Sequence, residues 1–328
     1  MDFADIFGNA ARAAFGPEAA ILALLALGLN VHFGYTGLYN FGQVGFMLVG
    51  AFGVGVAVAT WGWSLWLGMV LSILLAVVFA LLLGLPTLRL RADYFAIVTI
   101  ASAEILRFVA RSGSATDVTG GPFGLQDLAG DFYALNPFSD GIDLGAFRYS
   151  PNQLFSLVVG WTLVALGTFV VYRIIGSPWG RVIRSIREDE DVARSLGKNV
   201  FAYKIQSLII GGVIGAVGGI MWVLTTSGVN ANTFQPQQTF FAYAILIIGG
   251  AATPFGPVVG AIIFQFIFAG SQSILAQLDG NGWLPGFLEG SQARGALSLA
   301  LVGLILVLML TFRPQGIFGD KEEIALGN

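Results

Sequence analysis

Glu104 and Arg107 stand three residues apart inside an otherwise apolar window, Asp93–Ala110. At that spacing the two side chains share one helical face. The arrangement suits an internally satisfied ion pair facing other helices, or a carboxylate that takes up and releases a proton. Charges inside membranes mostly pair, so the ion pair is the expectation. His32 is the sole histidine, and an isolated imidazole near the end of an apolar stretch is expected to be a hydrogen-bonded structural group rather than a proton relay. Around it Asn30, Tyr35, Thr36, Asn40 and Gln43 are interleaved with Gly34, Gly37 and Gly42. Polar groups at membrane depth need a partner or a wet cavity, and irregular backbone is tolerated there only where protein buries it or it lines a cavity. These five are therefore candidates for the wall of a solute path. The competing reading is a plain turn, since Gly and Asn are turn residues first.

Covalent chemistry is poorly served. No carboxylate pair, histidine cluster or Ser-His-Asp set is placed for it. Without cysteine there is no thiolate nucleophile or Cys-based metal site, and no metal is expected. A phosphate-binding Gly-x-x-x-x-Gly-Lys-[Ser/Thr] loop is missing as well. The only Gly-Lys, Gly197-Lys198, precedes Asn199 and lacks the upstream glycine, so any ATP chemistry must come from a partner.

The densest polar feature is Gly176–Lys204. It holds Arg181, Arg184, Arg187, Arg194, Lys198 and Lys204 with Glu188, Asp189, Glu190 and Asp191, between two apolar spans. Each such charge costs about 2.5–3.5 kcal/mol at a bilayer centre, so this segment must lie in water. Ser177-Pro178 has the form of an N-cap with Pro at the first helical position. The acids open a second helical piece, Arg194 and Lys198 lie toward its end, and Gly197 stops it. Ile183 and Ile186 share one face of the first piece, Val192 and Leu196 one face of the second. The expectation is a short amphipathic pair lying across the membrane surface. A loop that merely fixed topology would need Lys and Arg but not the acids.

The elements that must position these groups are membrane spans. The chain is 56% hydrophobic and only 11% charged, against roughly 25% charged in a soluble domain. Apolar windows, all but the seventh of about the length that crosses a bilayer, fall at Pro17–Phe33, Phe41–Thr60, Ser64–Leu85, Asp93–Ala110, Gln153–Ile175, Tyr203–Thr226, Phe240–Ala251, Gly256–Ala276 and Arg294–Phe312. The predicted fold is an all-α polytopic membrane protein of about nine transmembrane helices, within a range of eight to ten, as one domain. The seventh window is too short to cross alone. It is either a half-helix meeting a broken segment or a helix extending back into Gln235–Thr239. Many of the 45 glycines have a packing explanation, because small residues let membrane helices approach closely. Basic residues accumulate on the cytoplasmic side. With the polar island inside, Arg89, Arg91, Arg173, Arg313 and Lys321 join it, leaving only Arg12, Arg107, Arg111, Arg148 and Arg294 elsewhere. That places the C-terminus in the cytoplasm and, with nine spans, the N-terminus outside. The start, Met1-Asp-Phe-Ala-Asp5, is acidic where a signal peptide is basic, so it is read as mature protein. The loop Ser112–Asn152 then lies outside, and its length predicts some structure or a docking role. Thr225, Thr226, Asn230, Gln235, Gln237 and Gln238 are read as a wet outer loop.

The polar island resembles the cytoplasmic coupling segment of LivM-type permease subunits of branched-chain amino acid ABC importers. Gly180-Arg181, Ile186-Arg187-Glu188-Asp189-Glu190, Ala193, Leu196-Gly197 and Tyr203-Lys204 match its pattern in order. Gly34-Tyr-Thr-Gly37 with Asn40-Phe-Gly-Gln43, Thr119-Gly-Gly121 with Gly124-Leu125, and Gly256-Pro-Val-Val-Gly260 are similar to that family too. The resemblance implies a non-hydrolysing permease in a bacterial inner membrane. Its partners would be a LivH-like second permease subunit, two cytoplasmic ATP-binding subunits that carry the ATP and Mg, and an external solute-binding protein; nucleic acid has no part. It also implies that Arg181, Arg184, Ile186, Arg187, Glu188, Asp189, Glu190, Asp191, Ala193, Leu196 and Gly197 form the element seated in the ATPase. Urea and short-amide importers use similar permeases, and the outer-loop length and Thr119-Gly-Gly121 favour the LivM type. An ion-coupled secondary transporter fits less well, because such proteins often carry several intramembrane carboxylates and Glu104 is nearly alone.

Overall fold

The computed structural model of the protein describes residues 3–88, 92–144, 147–280, 290–313 and 315–319. In chain order the helices are α1 (Phe3–Phe15), α2 (Pro17–Leu29) running into a π-helical turn at Asn30–Tyr35, α3 (Gln43–Gly55) with a second π-turn at Val56–Thr60, α4 (Leu65–Thr87) and α5 (Ala92–Arg111). A loop region follows with α6 (Thr116–Thr119), β1 (Leu125–Gln126), α7 (Gly130–Tyr133), β2 (Ile142–Leu144) and β3 (Phe147–Tyr149). Then come α8 (Pro151–Ile175), α9 (Pro178–Glu188), α10 (Glu190–Ser195), α11 (Val200–Thr226), β4 (Gly228–Val229), α12 (Gln237–Gly249), α13 (Gly256–Gly280) and α14 (Ser291–Phe312).

Each of the nine apolar windows falls on a helix. Six helical stretches among the described residues are long and apolar enough to cross a membrane: Pro17–Tyr35, Gln43–Thr60, α4, α8, α11 and α13. The fold is that of a polytopic all-α membrane protein. α5 has the length but carries Asp93, Glu104, Arg107 and Arg111. α12 begins at Gln237, three residues before the predicted start, and its 13 residues span about 20 Å. That is well short of a hydrocarbon core of about 30 Å, so the half-helix reading applies. It stops where Gly250 turns to φ +103°. Ile317 and Phe318 donate backbone hydrogen bonds to the last carbonyls, those of Ile248 and Gly249, at 3.1 and 3.0 Å.

Local signals explain the other boundaries. Ser150 and Gln153 form a capping box at the start of α8, and Ser64 accepts from Leu67 N at the start of α4. At the centre α11 packs against α2, α3 and α4, with Leu25, Met47, Ala51, Val223 and Leu224 in its main apolar core. The crossing of α3 and α11 depends on small residues: a Cβ at Gly219 would overlap the backbone of Met47. α1, which no apolar window marks, buries Ile6, Ala10, Ala11 and Ala14 and lies along α13, where Phe7 and Phe266 meet edge to face at 5.5 Å. α11 is 27 residues long, about 40 Å, and separates two ends of the bundle. At one end the loop after α5 is ordered, as its length predicts: β1 pairs antiparallel with β4 (Leu125↔Val229), β2 with β3, and Leu128, Ala129 and Phe132 join the core. At the other end sits the α9–α10 hairpin.

Candidate functional site

The polar island forms two helices meeting at Asp189. Its carboxylate caps α10, accepting from Asp191 N at 2.9 Å and Val192 N at 3.0 Å. Gly197, at φ +75°, ends it as expected. The cap of α9 differs from expectation: Ser177 occupies the N-cap position, but its hydroxyl turns back to donate to Ile174 O at 2.6 Å. On α9, Ile183 and Ile186 both point inward, at 0% and 4% exposure. Ile183 joins Leu27, Val31, Tyr35, Val171 and Ile175, while Ile186 joins Ala193 and Val200. On α10 the expected inner face is corrected. Ala193 is the buried residue, and Val192 and Leu196 are 55% and 71% exposed. Ala193 packs with Ile186 of α9 and Val200 of α11, so that side of α10 is the one turned inward. Glu190 bonds Arg194 at 2.8 Å and also Lys204 at the start of α11, so the hairpin is tied to a membrane helix. Asp191 holds Arg194 at 3.0 Å. Arg181, Arg184, Arg187 and Glu188 lie at the surface, with the Arg184 guanidinium 5.8 Å from the Tyr35 ring centre.

Directly beneath lies the second candidate cluster, which the fold does bring together. Asn30, Tyr35, Asn40 and Gln43 are fully buried and Thr36 nearly so. The Asn40 amide donates to His32 Nδ1 and to Gln43 Oε1, both at 3.0 Å, and accepts from Gly42 N at 2.9 Å. Gln43 Nε2 donates to Gly211 O at 3.1 Å. His32 Nε2 lies 3.1 Å from Leu208 O, and a carbonyl there requires the proton on Nε2. Nδ1 is then the acceptor and the imidazole neutral. Thr36 donates to Val31 O at 2.8 Å and meets the Ser207 hydroxyl at 2.5 Å. Asn30 reaches the segment after α12, donating to Thr253 O at 2.8 Å and accepting from Ala252 N at 2.9 Å. Four of the five are thus wholly enclosed in this conformation. Thr36 borders a cavity of about 290 Å³ together with Gly37, Arg187, Glu190 and Lys204.

A family model described as branched-chain amino acid transport system, permease component, matches residues 17–310. The chain belongs to that family. It is 29% identical over 320 residues to the high-affinity branched-chain amino acid transport system permease protein LivM of Escherichia coli (strain K12), covering 94% of this chain and 70% of that protein. Against the LivM counterpart of Methanocaldococcus jannaschii the identity is 26% over 340 residues, 92% and 91% of the two chains. The nucleoside ABC transporter permease protein NupC of Lactococcus lactis is 25% identical over 297 residues, 88% and 89% of the two. This is therefore a LivM-like permease of the ABC importer class, a multi-pass membrane protein whose relatives are permease components and not catalytic subunits.

In this permease Glu104 and Arg107 form a bidentate pair on α5, Nε to Oε1 at 3.0 Å and Nη2 to Oε2 at 2.6 Å, with both side chains largely covered. At the far end of α11, Asn230 donates to Pro122 O at 3.1 Å, Thr226 to Gly228 O at 2.9 Å and Gln235 to Asn232 O at 3.0 Å, so those polar residues fasten the loop. Sequence reasoning missed the partners of the central cluster. Thr99 Oγ1 accepts from Phe41 N and Thr239 Oγ1 from Val44 N, each at 3.0 Å, while the Tyr243 hydroxyl donates to Asn40 O at 3.2 Å. Thr99 and Tyr243 lie inside apolar windows, where a hydroxyl at membrane depth is the signal that could have marked them. Thr239 lies one residue before a window, beside Gln237 and Gln238, and nothing local sets it apart.

Proposed function

We propose that this permease moves branched-chain or other hydrophobic amino acids inward, receiving them from an external solute-binding protein and working beside a LivH-like second permease subunit. Two cytoplasmic ATP-binding subunits supply the ATP and Mg chemistry and grip the α9–α10 hairpin. The hairpin end of the bundle and the C-terminus face the cytoplasm. The observation that carries this reading is how the hairpin is held. Ile183, Ile186 and Ala193 anchor it in the membrane helices, Glu190 ties it to Lys204, and Arg181, Arg187, Glu188 and Asp191 are presented outward. A surface fixed from behind and charged in front suits transmission of force from a separate motor. The solute path is shared with the second subunit. Asn30, Tyr35, Thr36, Asn40 and Gln43 would line it only in a state in which their network opens.

The test is charge reversal at exposed residues of the hairpin. Arg187→Glu with Glu188→Lys, made in the complete complex, should abolish ATP-driven uptake and recovery of the ATPase with the permease, while the permease itself stays folded. Unchanged uptake and unchanged complex recovery would remove the basis of the proposal. Uptake competed with leucine, valine, urea and a nucleoside then fixes the substrate class. Competition by the aliphatic amino acids alone is expected.

A further inference from the structure

The α9–α10 hairpin and the break between α12 and α13 both contact one six-residue element, the π-turn Asn30–Tyr35. On the hairpin side, Ile183 of α9 packs into the same buried cluster as Val31 and Tyr35. From the break, Ala252 packs against that same cluster, and Asn30 bonds both the Ala252 N–H and the Thr253 carbonyl. Gly34 permits this closeness: a Cβ there would overlap Asn30 Oδ1 and stand 2.6 Å from Ala252 N. Ala252 sits at φ +60°, a conformation that a residue with a Cβ keeps only where its surroundings hold it. The only side chain seen to hold its backbone N–H among the described residues is Asn30. A π-turn is itself an irregular, readily reshaped piece of helix, often found at working sites.

We propose that Asn30 is a positioning residue that links movement of the hairpin to the membrane break at Gly250–Phe255. It does this by carrying displacement of the π-turn to the backbone of Ala252 and Thr253. A shift of α9 moves Val31 and Tyr35 through direct packing. Asn30 moves with them, and its paired hydrogen bonds take the break along. Without that amide, what joins the π-turn to the break among the described contacts is the apolar packing around Ala252. The inference rests on the importer reading above, and it concerns how coupling reaches the membrane interior rather than whether it exists.

The chain has no cysteine, so Phe255→Cys places a single thiol on this subunit, at an exposed position of the break. In the assembled complex the alkylation rate of that thiol by a maleimide is measured with and without ATP, alongside ATP hydrolysis and leucine uptake. With Asn30 present, ATP should change the alkylation rate. With Asn30→Ala that change should vanish and uptake per ATP should fall at least about fivefold, the low end of a measurable coupling, while hydrolysis persists. Asn30→Asp keeps the acceptor for Ala252 N–H but loses the donor to Thr253, and should give an intermediate loss. A purely structural role would lower hydrolysis and uptake together and leave their ratio unmoved. An Asn30→Ala complex that keeps both the ATP-dependent alkylation and the uptake per ATP overturns the proposal. Failure of both Asn30 variants to assemble also overturns it, since Asn30 would then be a folding residue. No ATP response in the unsubstituted complex would instead overturn the importer reading, and the proposal with it.

Discussion

The hairpin and the cluster beneath it are both rich in polar side chains, yet they spend those groups in opposite ways. In the cluster, His32, Asn40 and Gln43 are wholly buried and bond one another and the backbone of α11. In the hairpin the charges are mostly exposed, and the ion pairs among them join neighbours on α10 or reach Lys204. Position, not residue type, decides what each contributes. A buried amide that loses its partner is left with no water to replace it, so the cluster is specified as a unit. An exposed pair trades water for a partner at almost no net gain. The cluster is thus where stability and internal geometry reside, while the hairpin can be reshaped at little cost to the fold and great cost to whatever it touches.

The strongest way to break this contrast is Asn40→Ala. Removing that amide orphans His32 Nδ1, Gln43 Oε1 and Gly42 N at once. With about 1 kcal/mol or more for each buried group left unpaired, a loss of about 2–4 kcal/mol is expected. It would be read as a lowered unfolding midpoint of the purified permease in detergent. An unchanged midpoint would mean that water enters the cluster, and its polar groups would then belong with the hairpin's.

Next in size is Glu104→Gln, which tests a site between the two extremes. The Glu104–Arg107 pair lies within one helix, and its side chains are largely covered but not wholly buried. As a structural pair it should cost about 1 kcal/mol when one charge is removed, with uptake and ATP hydrolysis both retained. Uptake abolished with assembly and hydrolysis intact would instead make Glu104 a proton-coupling carboxylate.

The same contrast marks what could be read from residue order. Every apolar window became a helix, because length and composition alone decide what can sit in a bilayer. The hairpin's inner face at Ile183 and Ile186 was legible from spacing, as were the acids opening α10 and the stop at Gly197. α1 was not, because its buried side is built from alanines and one isoleucine and gives no apolar run. Val192 and Leu196 misled, since two apolar residues one turn apart on a six-residue helix do not say which side faces in. The cluster was legible as a set of polar residues at depth but not as a network. Asn30 finds its partners 222 and 223 positions away, and no local pattern encodes that.

The smallest expected effect sharpens the comparison from the hairpin side. Arg194 pairs with both Glu190 and Asp191, at 2.8 and 3.0 Å, yet its side chain is 61% exposed. Two ion pairs at helical spacing look substantial on paper. In water each gains little, because solvent screens the charges and ordering two long side chains costs entropy. Arg194→Ala should therefore shift the unfolding midpoint by no more than about 0.5 kcal/mol equivalent. Glu190→Gln should cost more, because it also releases Lys204, whose side chain is only 14% exposed. Measured together with the double variant, the two should be nearly additive, leaving the Glu190–Lys204 contact as an ion pair that holds the hairpin to the membrane helices. A large loss from Arg194→Ala alone would show that α10 is stabilised by its charges rather than by Ala193 and the Asp189 cap, and the division between a buried scaffold and an expendable charged surface would fail there.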